Sequence, residues 1–253
     1  MTTELVLDAT DAQAADFQAN GFLRIDEITT QDEVVKLREL YDLVMQDATA
    51  FRLKYEAGAD REGAVINQVF LPEVQQPEMA DTTYLRNAKR MAAGLLGVDI
   101  DDVEMGGQML IYKPATGGPQ APWHQDEAFW DHLSHVKCNS LSVWMPLDEA
   151  VVESGCMQFI PGSHRNDVVA HHCNPGEPLE LDIPFDSDAA VPCPLPAGGA
   201  TFHHCRTFHH TAANTSGRER RAITTIFHAP AATRDVPMDK PWVKGLTAPR
   251  QMA

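Results

Sequence analysis

The sequence is short of positive charge: 20 Lys and Arg stand against 36 Asp and Glu, a formal net charge of −16. Such a balance leaves no basic face to neutralise a phosphate backbone, so nucleic acid is not an expected partner and anionic membrane surfaces are disfavoured. No apolar run approaches the roughly 18 residues that a membrane span requires, and the opening MTTELVLDAT has no basic stretch followed by an apolar one. The cysteines are five, Cys138, Cys156, Cys173, Cys193 and Cys205, and none sits in a C-x-x-C pair. An odd number without that spacing argues against a disulfide framework and a zinc ribbon, and for thiols in a reducing compartment. The expectation is a cytoplasmic protein. Internal repeats and low-complexity tracts are also missing.

The chain has 253 residues, 43% of them hydrophobic and 22% charged, enough to bury a full core and still form one domain over 1–253. DAQAADFQANGF predicts a short helix ending at Gly21, with FLRI as a brief strand after it. Thr30 and Glu33 have the spacing of a capping box ahead of Leu37, Leu40, Tyr41 and Val44 at helical intervals, which predicts a second helix. A third is expected in MADTTYLRNAKRMAAGLLG, where Leu85, Ala88, Ala92 and Leu95 share a face and Gly97 is a natural stop. Residues 1–100 therefore read as mostly helical support. From Val103 the pattern changes to short segments rich in β-formers, QMLIYK, SLSVWMPL, CMQFI, ATFHHC and AITTIFHA, punctuated by proline and glycine. A β-sandwich or barrel over 101–230 is expected, with 171–196 as a long excursion between strands and 231–253 as a tail wrapping the surface.

Within this β region WHQDEAFW places His124 and Asp126 two positions apart. In a strand such residues point to the same side and can face one interior point. Alone, the triplet also suits a solvated loop with one hydrogen-bonded histidine. Downstream, in TFHHCRTFHHTAANTSGRERRAITTIFH, His209 is followed eleven positions later by Arg220. Two imidazoles and a carboxylate make the facial triad that leaves three adjacent positions open on Fe(II). A cosubstrate such as 2-oxoglutarate would chelate two of them, and its far carboxylate needs a buried cation. Arg220 offers a planar fork that lysine cannot reproduce.

WHQD, SLSVWMPL, ESGCMQFIPGSH, and the His209 to Arg220 spacing with Asn214 between them together resemble the phytanoyl-CoA dioxygenase family of Fe(II)/2-oxoglutarate oxygenases. The resemblance runs from ANGFLRI to about His228. It implies a mainly β fold, a double-stranded β-helix of jelly-roll, cupin-like type braced by N-terminal helices. It implies His124, Asp126 and His209 as iron ligands and Arg220 as partner of the 2-oxoglutarate C5 carboxylate. It further implies Thr211 as a hydroxyl assisting that carboxylate, and Trp144 and Met109 as lining of the cosubstrate pocket. The implied reaction consumes O2 and 2-oxoglutarate, releases succinate and CO2, and hydroxylates an unactivated C–H of a small molecule. One departure stands out: where the phytanoyl-CoA hydroxylases carry a lysine before the glutamine of this segment, VINQVF has Ile66. That weakens transfer of an acyl-CoA substrate, so a small metabolite or natural-product intermediate is expected, acted on by a monomer or homodimer. Retention of Asp126 argues against halogenation, which needs that ligand replaced by a small residue. The competing reading is a metal-dependent hydrolase or isomerase, or a metal-binding module, on the same three ligands; a zinc hydrolase has no use for Arg220.

Plainer roles are expected elsewhere. His203, His204 and His210 crowd the region of His209, but His209 alone has the eleven-residue step to Arg220. His210 would point to the opposite side of a strand, and His204 would flank the pocket. His164 in PGSH is expected to hold a turn, Phe129 and Trp130 to pack, His132 and His135 to be solvated near the entrance, and Cys156 and Cys205 to be buried. Asn67 and Gln68 could reach a ligand or simply pack in a strand.

Overall fold

A computed structural model describes residues 5–46, 54–57, 65–116, 120–173 and 178–245. The side chains of Ile66 and Asn67 lie outside the described residues. Helix α1 (Asp11–Asn20) is closed at its start by a capping box between Thr10 and Gln13 and at its end by Gly21, φ 82°. A side chain at Gly21 is barred twice, by the left-handed backbone and by the His164 ring packed where a Cβ would sit. His164 also bonds the Gln18 carbonyl, so the PGSH histidine is a brace between α1 and the barrel.

After strand β1 (Phe22–Ile25) comes α2 (Gln31–Gln46), whose buried Val34, Leu37, Leu40, Tyr41 and Val44 form the expected stripe. The predicted capping box is only half made. Thr30 accepts from the Glu33 amide at 3.2 Å, but the Glu33 carboxylate turns away, accepting from the Thr29 hydroxyl and from the amides of Thr83 and Tyr84 at 2.7 and 2.8 Å. Those amides open α3 (Thr83–Leu96), which ends at Gly97 as predicted. An acid of one helix thus satisfies the free N–H groups and the positive pole of the next.

Two further strands, β2 (Lys54–Ala57) and β3 (Val65–Phe70), lie between α2 and α3. The first hundred residues are therefore less helical than expected, because β1, β2 and β3 all join the main sheet. That sheet also takes β4 (Glu104–Lys113), β6 (Val136–Pro146), β11 (Ala200–His204) and β13 (Arg220–Thr233), in the order β1-β11-β6-β13-β4-β3-β2. A smaller sheet holds β5 (Ala121–His124), β7 (Met157–Phe159), β10 (Val191–Cys193) and β12 (His209–Thr211), ordered β10-β7-β12-β5, and β8 (His171–His172) pairs with β9 (Glu180–Leu181). The 171–196 stretch is thus a hairpin and an edge strand as well as loops. β13 runs to Thr233, past the expected end of the barrel at 230. No described helix is long and apolar enough to cross a membrane.

Strand alternation sorts the side chains of the large sheet. Leu110, Leu141, Val143, Met145, Phe202, Ile223 and Phe227 face outward and pack with the helices in the largest apolar cluster. Trp144 and Ala222 face inward and pack with Cys156, Met157, Phe159 and Cys193 of the smaller sheet. β6 is buried on both faces, which is why SLSVWMPL reads as a nearly continuous apolar run. Cys138, Cys156, Cys193 and Cys205 are buried thiols. Two antiparallel sheets enclosing an inner core, with helices on the back of the larger one, make the double-stranded β-helix that the resemblance implied.

Candidate metal and cosubstrate site

The inner faces of the two sheets meet in a cavity of about 580 Å³. β5 and β12 run antiparallel with His124 directly opposite His209, ring centroids 4.1 Å apart. Asp126 is not on the strand: it starts a 3-10 turn, Asp126–Phe129, so the same-side argument for a strand does not apply to it. The chain is held in that turn by Gln125, fully buried, whose side chain bonds the Arg206 carbonyl (2.8 Å) and the Val169 amide (2.9 Å). One ligand atom from each of His124, Asp126 and His209 lies within 4.8 Å of the others.

The protonation pattern suits a metal. His124 Nδ1 lies 2.7 Å from the Pro122 carbonyl and His209 Nδ1 2.8 Å from that of Thr207. A carbonyl only accepts, so Nδ1 carries the proton and Nε2 presents its lone pair. Burial holds His124 neutral, its pKa pushed down to about 3. Burial would raise Asp126, but the neighbouring His209 and the contact from His203 outweigh it and keep the carboxyl well below its ordinary range. Asp126 Oδ1 sits 3.3 Å from His209 Nε2 and 3.7 Å from His124 Nε2.

Beneath the turn lies a charge cluster that the sequence did not announce. Glu127, fully buried, pairs with Arg206 and Arg234, each at 3.0 Å. Lys240 Nζ bonds the carbonyls of Glu127 and Trp130, and the Trp242 indole bonds that of Ala128. The tail therefore pins the segment carrying Asp126.

On the large sheet Arg220 is 1% exposed, and none of its three guanidinium nitrogens has a hydrogen-bond partner among the described residues. Its Cζ stands 5.1 Å from the Trp144 ring centroid. Burial lowers its pKa to about 10, which still leaves it charged at neutral pH. A buried cation without a partner is costly unless an anion joins it, so the pocket fits a carboxylate. Opposite Arg220 in register is Lys113, also buried, which donates to the Thr211 hydroxyl at 2.8 Å and to the Ala212 carbonyl. Burial, then the Arg220 charge, push its pKa down to about 6. Trp144, Met109, Thr211 and Gln68 line the same cavity. Asn214 bonds the carbonyls of Pro114 and Arg218 and shapes the loop before Arg220.

Other histidines separate cleanly. His203 lines the cavity beside Asp126, while His204 turns away and accepts from the Arg206 amide; His203, not His204, flanks the pocket. His210 stacks on Trp123 at 4.6 Å along the rim. Phe129 meets His124 edge-on, Trp130 packs on His228, and His132 and His135 are exposed. Lys113 and His203 are the site residues that sequence reasoning missed: the first lay at the end of QMLIYK without a role, and the second was one histidine among four.

A family model described as phytanoyl-CoA dioxygenase matches residues 17–222. Over 146 residues the chain is 34% identical to phytanoyl-CoA dioxygenase domain-containing protein 1 of Danio rerio, an alignment covering 54% of this chain and 48%, about half, of that relative. It is 25% identical to a probable alpha-ketoglutarate-dependent hypophosphite dioxygenase of Stutzerimonas stutzeri, covering 83% of this chain and 76% of that one. The solved structure of EvdO2 from Micromonospora carbonacea var. aurantiaca complexed with 2-oxoglutarate superposes with a TM-score of 0.80 and 32% identity, over 95% of this chain and 99% of that chain.

Proposed function

The chain belongs to the phytanoyl-CoA dioxygenase family, and from that premise we propose that His124, Asp126 and His209 hold one Fe(II) while Arg220 receives the far carboxylate of 2-oxoglutarate. Its reaction class is that of an iron- and 2-oxoglutarate-dependent dioxygenase. The single observation that carries the residue assignment is the pairing of two features in one cavity: a His, Asp, His cluster with free Nε2 lone pairs, and a buried guanidinium without a hydrogen-bond partner among the described residues.

When bound, iron and 2-oxoglutarate supply the oxidation, with O2 consumed, succinate and CO2 released, and a substrate C–H hydroxylated. The protein binds, orients and shields. Pro122 and Thr207 carbonyls fix the imidazole tautomers. Lys113 donates to Thr211 Oγ1, which leaves the Thr211 hydroxyl proton free to point at a carboxylate on Arg220. Trp144 walls the guanidinium from water on one side.

The substrate is a small molecule that reaches the cavity past Gln120, Pro178, Glu180 and His210. A cavity of about 580 Å³ suits a metabolite or natural-product intermediate. Among the described lining residues the only Lys and Arg are Lys113 and Arg220, both buried, so the described part of the rim offers no cation to the phosphates of a coenzyme A thioester.

Titrating anaerobic protein with Fe(II) and then 2-oxoglutarate tests the assignment. A weak visible metal-to-ligand charge-transfer band is expected on the second addition, followed by succinate release in air. Folded, metal-loaded protein without the band would overturn it.

A further inference from the structure

Three imidazoles surround Asp126, and they are not equivalent. His203 Nε2 lies 3.2 Å from Asp126 Oδ2, and its Nδ1 is buried with no partner among the described residues. With a carboxylate beside Nε2 and no acceptor at Nδ1 among the described residues, the proton of His203 sits on Nε2, the reverse of His124 and His209, whose Nδ1 atoms face carbonyls. Protonated there, His203 is a donor to Asp126 and has no Nε2 lone pair to offer a metal.

A second donor meets the same oxygen. Ser142 Oγ donates to Asp126 Oδ2 at 2.6 Å. His203 and Ser142 are directly opposite one another across β11 and β6, both on the inner face, so the sheet register delivers the two donors as a unit. Two groups thus face the same Oδ2, the Ser142 hydroxyl as a hydrogen-bond donor and the His203 imidazole at 3.2 Å. Oδ1 is the atom facing His124 and His209.

We propose that His203 and Ser142 are positioning residues that hold Asp126 to single-oxygen ligation through Oδ1, keeping open a coordination position that a second Asp126 oxygen would occupy. This rests on the reading of His124, Asp126 and His209 as the metal ligands. It assigns a task to His203, the histidine of TFHHCRTFHH that lines the cavity beside Asp126 without being a ligand. Buried hydrogen bonds to a carboxylate fix its rotation as well as its charge, and the ring of His203, 4.3 Å from that of His209, is itself wedged between His209 and Phe159.

The test uses the full chain and Fe(II) alone, without oxygen, and reads the carboxylate stretches of carbon-13-labelled aspartate by infrared difference on metal addition. A wide separation of the symmetric and antisymmetric bands, the signature of one-oxygen ligation, is expected for the wild type. The separation should collapse in the double variant His203→Phe/Ser142→Ala, with Fe(II) bound no more than threefold more weakly and 2-oxoglutarate affinity reduced tenfold or more. His203→Gln, whose amide nitrogen can reach the place of Nε2, should restore the wide separation in the Ser142→Ala background. If the double variant does not fold, His203→Phe alone against His203→Gln gives the same contrast at one donor. A narrow separation in the wild type, or no change between the Phe and Gln variants, overturns the proposal. A wild type with wide separation but no charge-transfer band with 2-oxoglutarate would instead overturn the cosubstrate assignment and leave this one standing.

Discussion

Replacing Arg220 by methionine separates two effects that most active-site substitutions confound. The guanidinium is buried and has no hydrogen-bond partner among the described residues, with the Trp144 face as a compensation of about 1 kcal/mol. Methionine fills much of the same volume without charge. The ligand-free protein should therefore be no less stable, and up to about 3 kcal/mol more stable, because a desolvated cation has been removed. For a chain of this length each kcal/mol moves Tm by about 2–4 °C. Affinity for 2-oxoglutarate should move the other way. Removing one member of a buried charge pair costs about 2–5 kcal/mol, a rise in Kd of about 30-fold to several thousand-fold.

Calorimetric melting of ligand-free protein and titration of 2-oxoglutarate into metal-loaded, oxygen-free protein read the two numbers separately. At 100 times the wild-type Kd the ligand should stabilise the wild type by about 2.7 kcal/mol and the variant by about 0.9 kcal/mol or less at the same concentration. A variant that melts well below the wild type without ligand, yet binds 2-oxoglutarate within about threefold, would refute the reasoning: Arg220 would then be a structural residue whose partner had been overlooked.

Two further outcomes follow from the site. His209→Ala should abolish Fe(II) binding and turnover while His210→Ala, at the rim on Trp123, retains both; equilibrium dialysis of iron and succinate release check this, and the reverse pattern would move the ligand by one residue. The affinity for 2-oxoglutarate should weaken as pH rises above about 6, by up to tenfold per unit. Lys113 is lowered to about 6 in the ligand-free protein by burial and by Arg220, so it is neutral there at pH 7, and an arriving dianion raises its pKa and draws a proton in. Calorimetric titrations in two buffers of different ionisation enthalpy should show uptake of up to one proton, and identical heats would exclude it.

Much of the fold was legible because it is written in local patterns. Helical stripes and left-handed glycines placed α1, α2 and α3 within a few residues, and short β-rich runs located the barrel strands. What escaped was non-local. β2 and β3 join the large sheet through pairing that no periodicity announces, and the Glu33 carboxylate caps a helix fifty residues away, although its spacing to Thr30 read as a closed local box. A pattern of four residues can show that a side chain is suited to a cap, but not whose amides it will reach.

The site divides along the same line. His124, Asp126, His209 and Arg220 could be chosen from spacing because the chemistry asks for particular residue types, and types are visible in a sequence. The state of each group is decided by what its far side touches. His203 and His209 are six positions apart and chemically identical, yet the Nδ1 of His209 meets a carbonyl while that of His203 meets no partner among the described residues, which makes Nε2 a lone pair in His209 and a donor toward Asp126 in His203. Lys113 likewise looks like any strand-end lysine until the register sets it opposite Arg220, where burial and the Arg220 charge strip it of its proton until a dianion arrives.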